Sequence, residues 1–206
     1  QPSPDERVRA MRHALFAASL KLSEEGLKQL KAHDSRAVIK RILVVCAAPW
    51  SKTVTQTIHL EKEEPFTVTR EWVADLIEKA HKQNPASTKE DSILSELGMT
   101  VVERSIVDVS LNGYQTDDPY DKEAVQLDIA HLSGLVPHDV LEAVADIEEK
   151  VITHARTSAH TYALVLYCVL RDHYPDIKNA LIVDVSGEAT EVGLIQDSVL
   201  YDTTVI

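Results

Sequence analysis

The residues best placed to do chemistry lie together near the C-terminal end, in Ala180-Leu181-Ile182-Val183-Asp184-Val185-Ser186-Gly187-Glu188-Ala189-Thr190-Glu191-Val192-Gly193-Leu194-Ile195. An apolar run reaches an aspartate, a small-residue turn follows, and Val192 and Leu194 then alternate with other residues. The pattern predicts a buried strand, a tight hairpin and a returning strand, with a further turn and strand from Gln196 to Tyr201. Asp184 then closes the buried strand, and the backbone amides of Ser186 and Gly187 can face an anion. That combination suits a phosphate with its metal ion, held by Asp184 through water. An ordinary hairpin with an incidental aspartate accounts for the same residues, and both readings stay open here.

Other clusters carry less. His154 and His160 are six apart and His131 and His138 seven apart, which is neither a helical pair at i, i+4 nor the Cys-rich spacing of a zinc site. The acidic group Asp117, Asp118, Asp121 and Glu123 lacks the order of an EF-hand loop and reads as solvated. No serine sits in a glycine-flanked elbow, and neither Cys46 nor Cys168 has a basic helper nearby in sequence. Both cysteines lie in apolar runs, as buried free thiols do.

The elements that must position the hairpin follow from periodicity. Val8, Met11, Leu15, Ala18 and Leu22 form one stripe of a helix from Asp5 to Leu22, interrupted near Gly26 and continued to Lys31. Val38 to Ala48 reads as an inner strand buried on both faces. Thr53 to Leu60 alternates as a half-exposed strand, and Glu61 to Pro65 reads as a turn. Thr69 caps a helix from Arg70 to Lys82 whose inward face is Trp72, Leu76, Ile77 and Ala80. Gln83 to Lys89 reads as loop and Ser92 to Leu97 as a short helix. Thr100 to Leu111 is a long strand with a bulge, Asn112-Gly113 a turn, and Glu123 to His131 an alternating strand. Pro137 opens a helix to Ile152, and Ser158 to Asp172 reads as a second, buried helix.

The bulk composition narrows the class. The chain has 206 residues, 44% apolar and 26% charged, enough for one domain or two small ones with a core. No apolar run approaches the ~20 residues that span a bilayer. A net charge of -12 argues against nucleic acid as a partner. The charge is uneven, with 10 basic and 5 acidic residues from Gln1 to Leu60 against 11 and 28 afterwards. A basic N-terminal part suits an acidic partner or an anionic membrane surface, and a solvated helix face explains it equally well.

The hairpin resembles the second phosphate motif of the superfamily that joins actin, the seventy-kilodalton heat-shock chaperones and the sugar kinases. Asp184, Gly187 and Thr190 fall on positions of its Asp-hydrophobic-Gly-Gly-Gly-Thr-Thr-Asp pattern. Ser186 and Glu188 stand where it has glycines, Ala189 where it has the first threonine, and Glu191 where it has the final aspartate. The order of elements, with Phe66-Thr67-Val68-Thr69-Arg70-Glu71 and Val107-Asp108-Val109-Ser110-Leu111-Asn112-Gly113, is similar to the FtsA and PilM type of actin-like proteins of bacterial cell division and type IV pilus assembly.

The resemblance implies an α/β chain, a partial actin-like (ribonuclease-H-like) fold with a small inserted α/β subdomain. Residues 1–48 would belong to subdomain 1A, residues 49–132 to the insert, and residues 133–206 to the return into 1A and the start of 2A. It implies a degenerate phosphate site at Asp184, Ser186, Gly187 and Thr190, with Asp184 facing a metal. The family's first phosphate loop would precede Asp5 and its adenosine motif would follow Ile206. The chain is therefore expected to be a piece of a longer protein. It should need no cofactor by itself, with ATP and magnesium used by the intact protein. The implied role is an assembly scaffold without catalysis in this chain, cytoplasmic or in a peripheral complex at the inner membrane face. It would bind a protein partner, or itself, through the insert. The alternative is a metal-dependent hydrolase of ribonuclease-H-like architecture using Asp184, Glu188 and Glu191.

Overall fold

The computed structural model describes residues 3–83, 98–187 and 189–206. The loop and short helix expected within residues 84–97, and Glu188, lie outside them. The fold is mixed α/β, with three sheets and five α-helices among the described residues. Helix α1 (Pro4–Lys21) starts in a capping box. The Ser3 hydroxyl accepts from the Glu6 amide at 3.3 Å, and Glu6 accepts from the Ser3 amide at 2.7 Å. A π-turn at Leu22–Gly26 leads into α2 (Leu27–His33), where the sequence predicts an interruption.

Strands β1 (Arg41–Cys46) and β6 (Arg156–Thr161) make a parallel pair. Strands β2 (Lys52–Thr67), β5 (Glu123–Pro137), β3 (Met99–Leu111) and β4 (Tyr114–Gln115) lie in the order β2-β5-β3-β4, all antiparallel. Helix α3 (Arg70–Gln83) covers that sheet. The third sheet is the hairpin region, β7 (Ala180–Val185), β8 (Thr190–Gln196) and β9 (Val199–Val205), in chain order. Helices α4 (His138–Lys150) and α5 (Tyr162–His173) flank the remaining strands.

Three apolar clusters hold these layers. Val68, Val73, Val109, Leu111, Ala124, Leu127 and Ile129 pack beneath α3, with Trp72 and Ile77 against them. Leu132, Ala163, Leu164, Tyr167, Ile182, Ile195 and Leu200 join α5 to the third sheet. Cys46, Val136 and Val140 join β1, β5 and α4, with Met11 of α1 and Trp50 closing over them. Each fully buried Val, Leu or Ile side chain among them contributes roughly 1.5–3 kcal/mol. Threonine hydroxyls set the third sheet against β2: Thr55 donates to the Leu200 carbonyl at 2.7 Å and Thr203 to the Thr53 carbonyl at 2.8 Å. The Tyr167 hydroxyl donates to the Ser198 carbonyl at 2.8 Å from the other side.

Several boundaries differ from the sequence reading, each for a physical reason. Glu61 to Pro65 does not turn the chain. Strand β2 runs on to Thr67 through a register break, and Lys62 lies over the Phe66 and Trp72 rings at 5.0 and 5.2 Å. Val73, absent from the predicted face of α3, is its most deeply buried described residue. Strand β5 passes His131 and continues to Pro137. Residues 158–161 are strand, not helix, because β6 pairs in parallel with β1 and α5 begins only at Tyr162. Strands β1 and β7 are each buried on one face only, since Leu43, Val45, Leu181, Val183 and Val185 stand in solvent. The predicted bulge in β3 is present, with register shifts at Val101/Glu103 and Ile106/Asp108. At the Asn112-Gly113 turn both φ angles are positive, 52° and 81°.

The first bulge in β3 delivers Glu103 to the start of α5. Its carboxylate accepts from the Thr161 amide at 2.7 Å and the Thr161 hydroxyl at 2.8 Å, and it meets His160 Nδ1 at 2.7 Å. Gly134 makes room for it, since a Cβ there would lie 2.5 Å from Glu103 Oε1 and 2.8 Å from Thr161 Cγ2. Gly134→Ala should therefore lower stability by about 1–3 kcal/mol, read from urea denaturation. An unchanged midpoint would mean that Glu103 is not held in place.

Candidate functional site

The β7–β8 hairpin leans on the segment after β1. Ser51 donates to the Cys46 carbonyl at 2.6 Å and the Trp50 amide to the Ala47 carbonyl at 2.8 Å, which folds residues 47–50 into a tight loop. The Ala48-Pro49 bond in that loop is cis. The Ser186 hydroxyl donates to the carbonyls of Ala48 and Ala189, both at 3.3 Å, and the Ser186 amide also reaches Ala189 at 3.1 Å. Across from this junction runs the first half of α1. The three segments enclose a cleft of about 580 Å³, with Arg7, Met11, Pro49, Trp50, Ser186 and Gly187 among its lining.

The predicted residues divide by position. Ser186 and Gly187 line the cleft, and a Cβ on Gly187 would meet nothing within 4 Å, so its backbone is open to close approach. Thr190 heads β8, its amide and carbonyl both paired with Ile206 at 2.9 Å. Asp184 is half-buried and directly opposite Glu191 in the β7–β8 register. Glu191 is 4% exposed, and neither of its oxygens has a hydrogen-bond partner among the described residues. Burial pushes its carboxyl above the usual range and the Asp184 charge adds to this, while the nearby Ala48 amide works the other way without a bond of good geometry. Sequence reasoning did not select Arg7, Met11 or Trp50 for this site. Nothing local marks them, because they meet the hairpin only through the fold.

Chemically, the loop offers two things of unequal quality. Two opposed carboxylates, Glu191 with both oxygens unmet among the described residues, suit a hard divalent cation. The anion side is weaker, since the Ser186 hydroxyl already donates within the protein and the Ser186 amide is spent on Ala189. Among the described residues there is no cluster of three or more metal-ligating side chains, so any ion would complete its shell with backbone oxygens and water. No described helix is long and apolar enough to cross a membrane.

No protein-family model matches the chain, and no curated protein matches it. Among solved structures it is similar to a chain of a "PilM-PilN type IV pilus biogenesis complex", with a TM-score of 0.49 and 10% sequence identity. The match covers 91% of this chain and 48% of that one, so this chain spans about half the length of its structural neighbour.

Glu191 makes the site's pH dependence testable. At low pH its carboxyl is protonated in both folded and unfolded chains and costs nothing. As pH rises past the ordinary carboxylate range the unfolded chain ionises first, so stability falls until the folded group ionises too. Glu191→Gln should therefore be more stable than the parent at pH 7 and no more stable near pH ~4. Equal melting temperatures at neutral pH would show that the carboxylate is stabilised by a partner.

Proposed function

We propose that the chain is a structural module of a protein assembly, an actin-like scaffold of the cell-division or pilus-assembly kind, and not a self-contained ATPase. The observation that supports this best is the pair of one-sided strands. On β1, Leu43 and Val45 are 64% and 44% exposed; on β7, Leu181, Val183 and Val185 are 68%, 57% and 77% exposed. Contiguous apolar strand surface of this kind is costly in water and marks contact with other protein. The insert, residues 49–132, adds a second contact along β2, whose Thr57 to Leu60 segment lies beyond the threonines that dock on β9. In this reading the partner is a neighbouring protein, at the inner membrane face.

For nucleotide, the hairpin as built is a poor holder of phosphate. Asp184 and Glu191 would hold magnesium, and Gly187 would lie against a phosphate, but the buried Glu191 charge opposes any anion that arrives without its metal. Calorimetry with Mg-ATP should show no binding tighter than ~1 mM, which is only about 4 kcal/mol. A micromolar constant would refute the weak-site reading. In sedimentation, the parent chain should associate with rising concentration and Val183→Lys should not. A parent that stays monomeric throughout would count against the assembly role.

The second reading, metal-dependent hydrolysis by Asp184, Glu188 and Glu191, rests on the opposition of Asp184 and Glu191 across the hairpin. It predicts that manganese raises the melting temperature of the parent but not of Glu191→Gln. No shift in either chain would remove it.

A further inference from the structure

Strand β6 carries an arrangement that the cleft does not use. In a strand, residues two apart share a face. Ser158 and His160 do so, beside Leu43 and Val45 on the paired β1. Ser158 Oγ lies 3.1 Å from His160 Nε2, and His160 Nδ1 lies 2.7 Å from Glu103 Oε2. The carboxylate is fixed independently of the histidine, since its other oxygen accepts from the Thr161 amide and hydroxyl at 2.7 and 2.8 Å. The glycine at 134 clears its space. Glu103 is 10% exposed and His160 35%, so the base is anchored at one end and open at the other.

We propose that Ser158, His160 and Glu103 form a nucleophile, base and orienting carboxylate that act on small carboxylic esters. With the His160 proton on Nδ1, donated to Glu103, Nε2 is left as acceptor for the Ser158 hydroxyl proton. The amide after the nucleophile is placed to help. Residues 156 and 161 show the alternation: Arg156 N–H reaches Lys40 on the β1 side, whereas Thr161 N–H reaches Glu103 on the outer side. By that alternation the Ala159 N–H points outward with Thr161, where a developing oxyanion could receive it. Leu43 and Val45, opposite Ser158 and His160, offer an apolar bed that favours a short acyl chain.

The reaction balances without any other reagent. Ser158 Oγ bonds to the ester carbonyl carbon as its proton passes to His160 Nε2. The tetrahedral intermediate collapses, the carbon–alkoxy oxygen bond breaks, and the leaving alcohol takes that proton. Water then attacks the acyl-serine, gives its proton to Nε2, and the acid departs as Ser158 recovers the proton. The site uses nothing of the hairpin cleft, but it shares Leu43 and Val45 with the surface offered for assembly.

The test uses the whole chain with p-nitrophenyl acetate and an alkyl fluorophosphonate. The parent should release nitrophenol faster than buffer and carry the phosphonate on Ser158, mapped by peptide mass spectrometry. Ser158→Ala should lose the label, and His160→Gln should label at least about 100-fold more slowly, the usual scale for removing a general base. Both changes lie on a partly exposed face, and circular dichroism would verify that the variants fold. Glu103→Gln is less suitable because Glu103 also anchors Thr161. No label on Ser158 in the parent, or equal turnover by the parent and folded Ser158→Ala, would overturn the proposal.

Discussion

The structure depends on the ladder of β5. This strand pairs with β2 on one side and β3 on the other along nearly its whole length. In its first half it alternates, sending Leu127 and Ile129 under α3. From His131 to Val136 every residue is buried, with Leu132 in the cluster of α5 and the third sheet, and Val136 in the cluster of β1 and α4. One strand therefore supplies all three apolar clusters. The hairpin site is positioned through it, because Leu132 packs with Ile182, Ile195 and Leu200 of the site's own sheet.

How much of this the sequence reveals depends on how local the cause is. The helices α1, α3 and α4 are legible because a 3.6-residue period needs nothing but its own side chains. The Asn112-Gly113 turn is legible for the same reason. The second half of β5 is not, because Ser133-Gly134 looks like a break. Gly134 is there to admit a carboxylate arriving from β3, a cause about thirty residues away in sequence. Strand β6 is hidden likewise, since Arg156 to Thr161 becomes strand by pairing with β1. A helix over residues 158–172 would splay Ser158 and His160 apart, whereas strand geometry brings them together. The Asp184 to Thr190 hairpin is legible as a motif, but its far wall, Arg7 and Trp50, is assembled by tertiary contact alone.

The chemistry at the hairpin turns on a competition among oxygen atoms. A phosphate loop works when backbone amides and hydroxyls have nothing nearer to bind. Here Ser186 is already committed to Ala48 and Ala189, which rigidifies the junction with residues 47–50 at the expense of anion binding. Glu191 is the opposite case, a buried acceptor with no donor in good geometry among the described residues. Leaving such a group unmet costs about 1–3 kcal/mol or more, and a cation meeting both Asp184 and Glu191 would recover part of that. The loop is therefore better suited to keeping the hairpin and its neighbour in register than to gripping a phosphate.

The exposed strands differ in how well they are guarded. At the outer edge of the four-stranded sheet, β2 carries Glu61, Lys62, Glu63 and Glu64, a register break and Pro65. Charges, bulges and proline are the usual protections of an edge against adding another strand. Strand β7, the outer strand of its own sheet, has none of these among its residues except Asp184, and its solvent face is Leu181, Val183 and Val185. A sheet edge that is apolar, regular and without lysine or proline is the cheaper place to extend. In the assembly reading, β7 is thus the favoured edge for strand addition, and the lower part of β2, with its cation over Phe66 and Trp72, is a surface for polar contact.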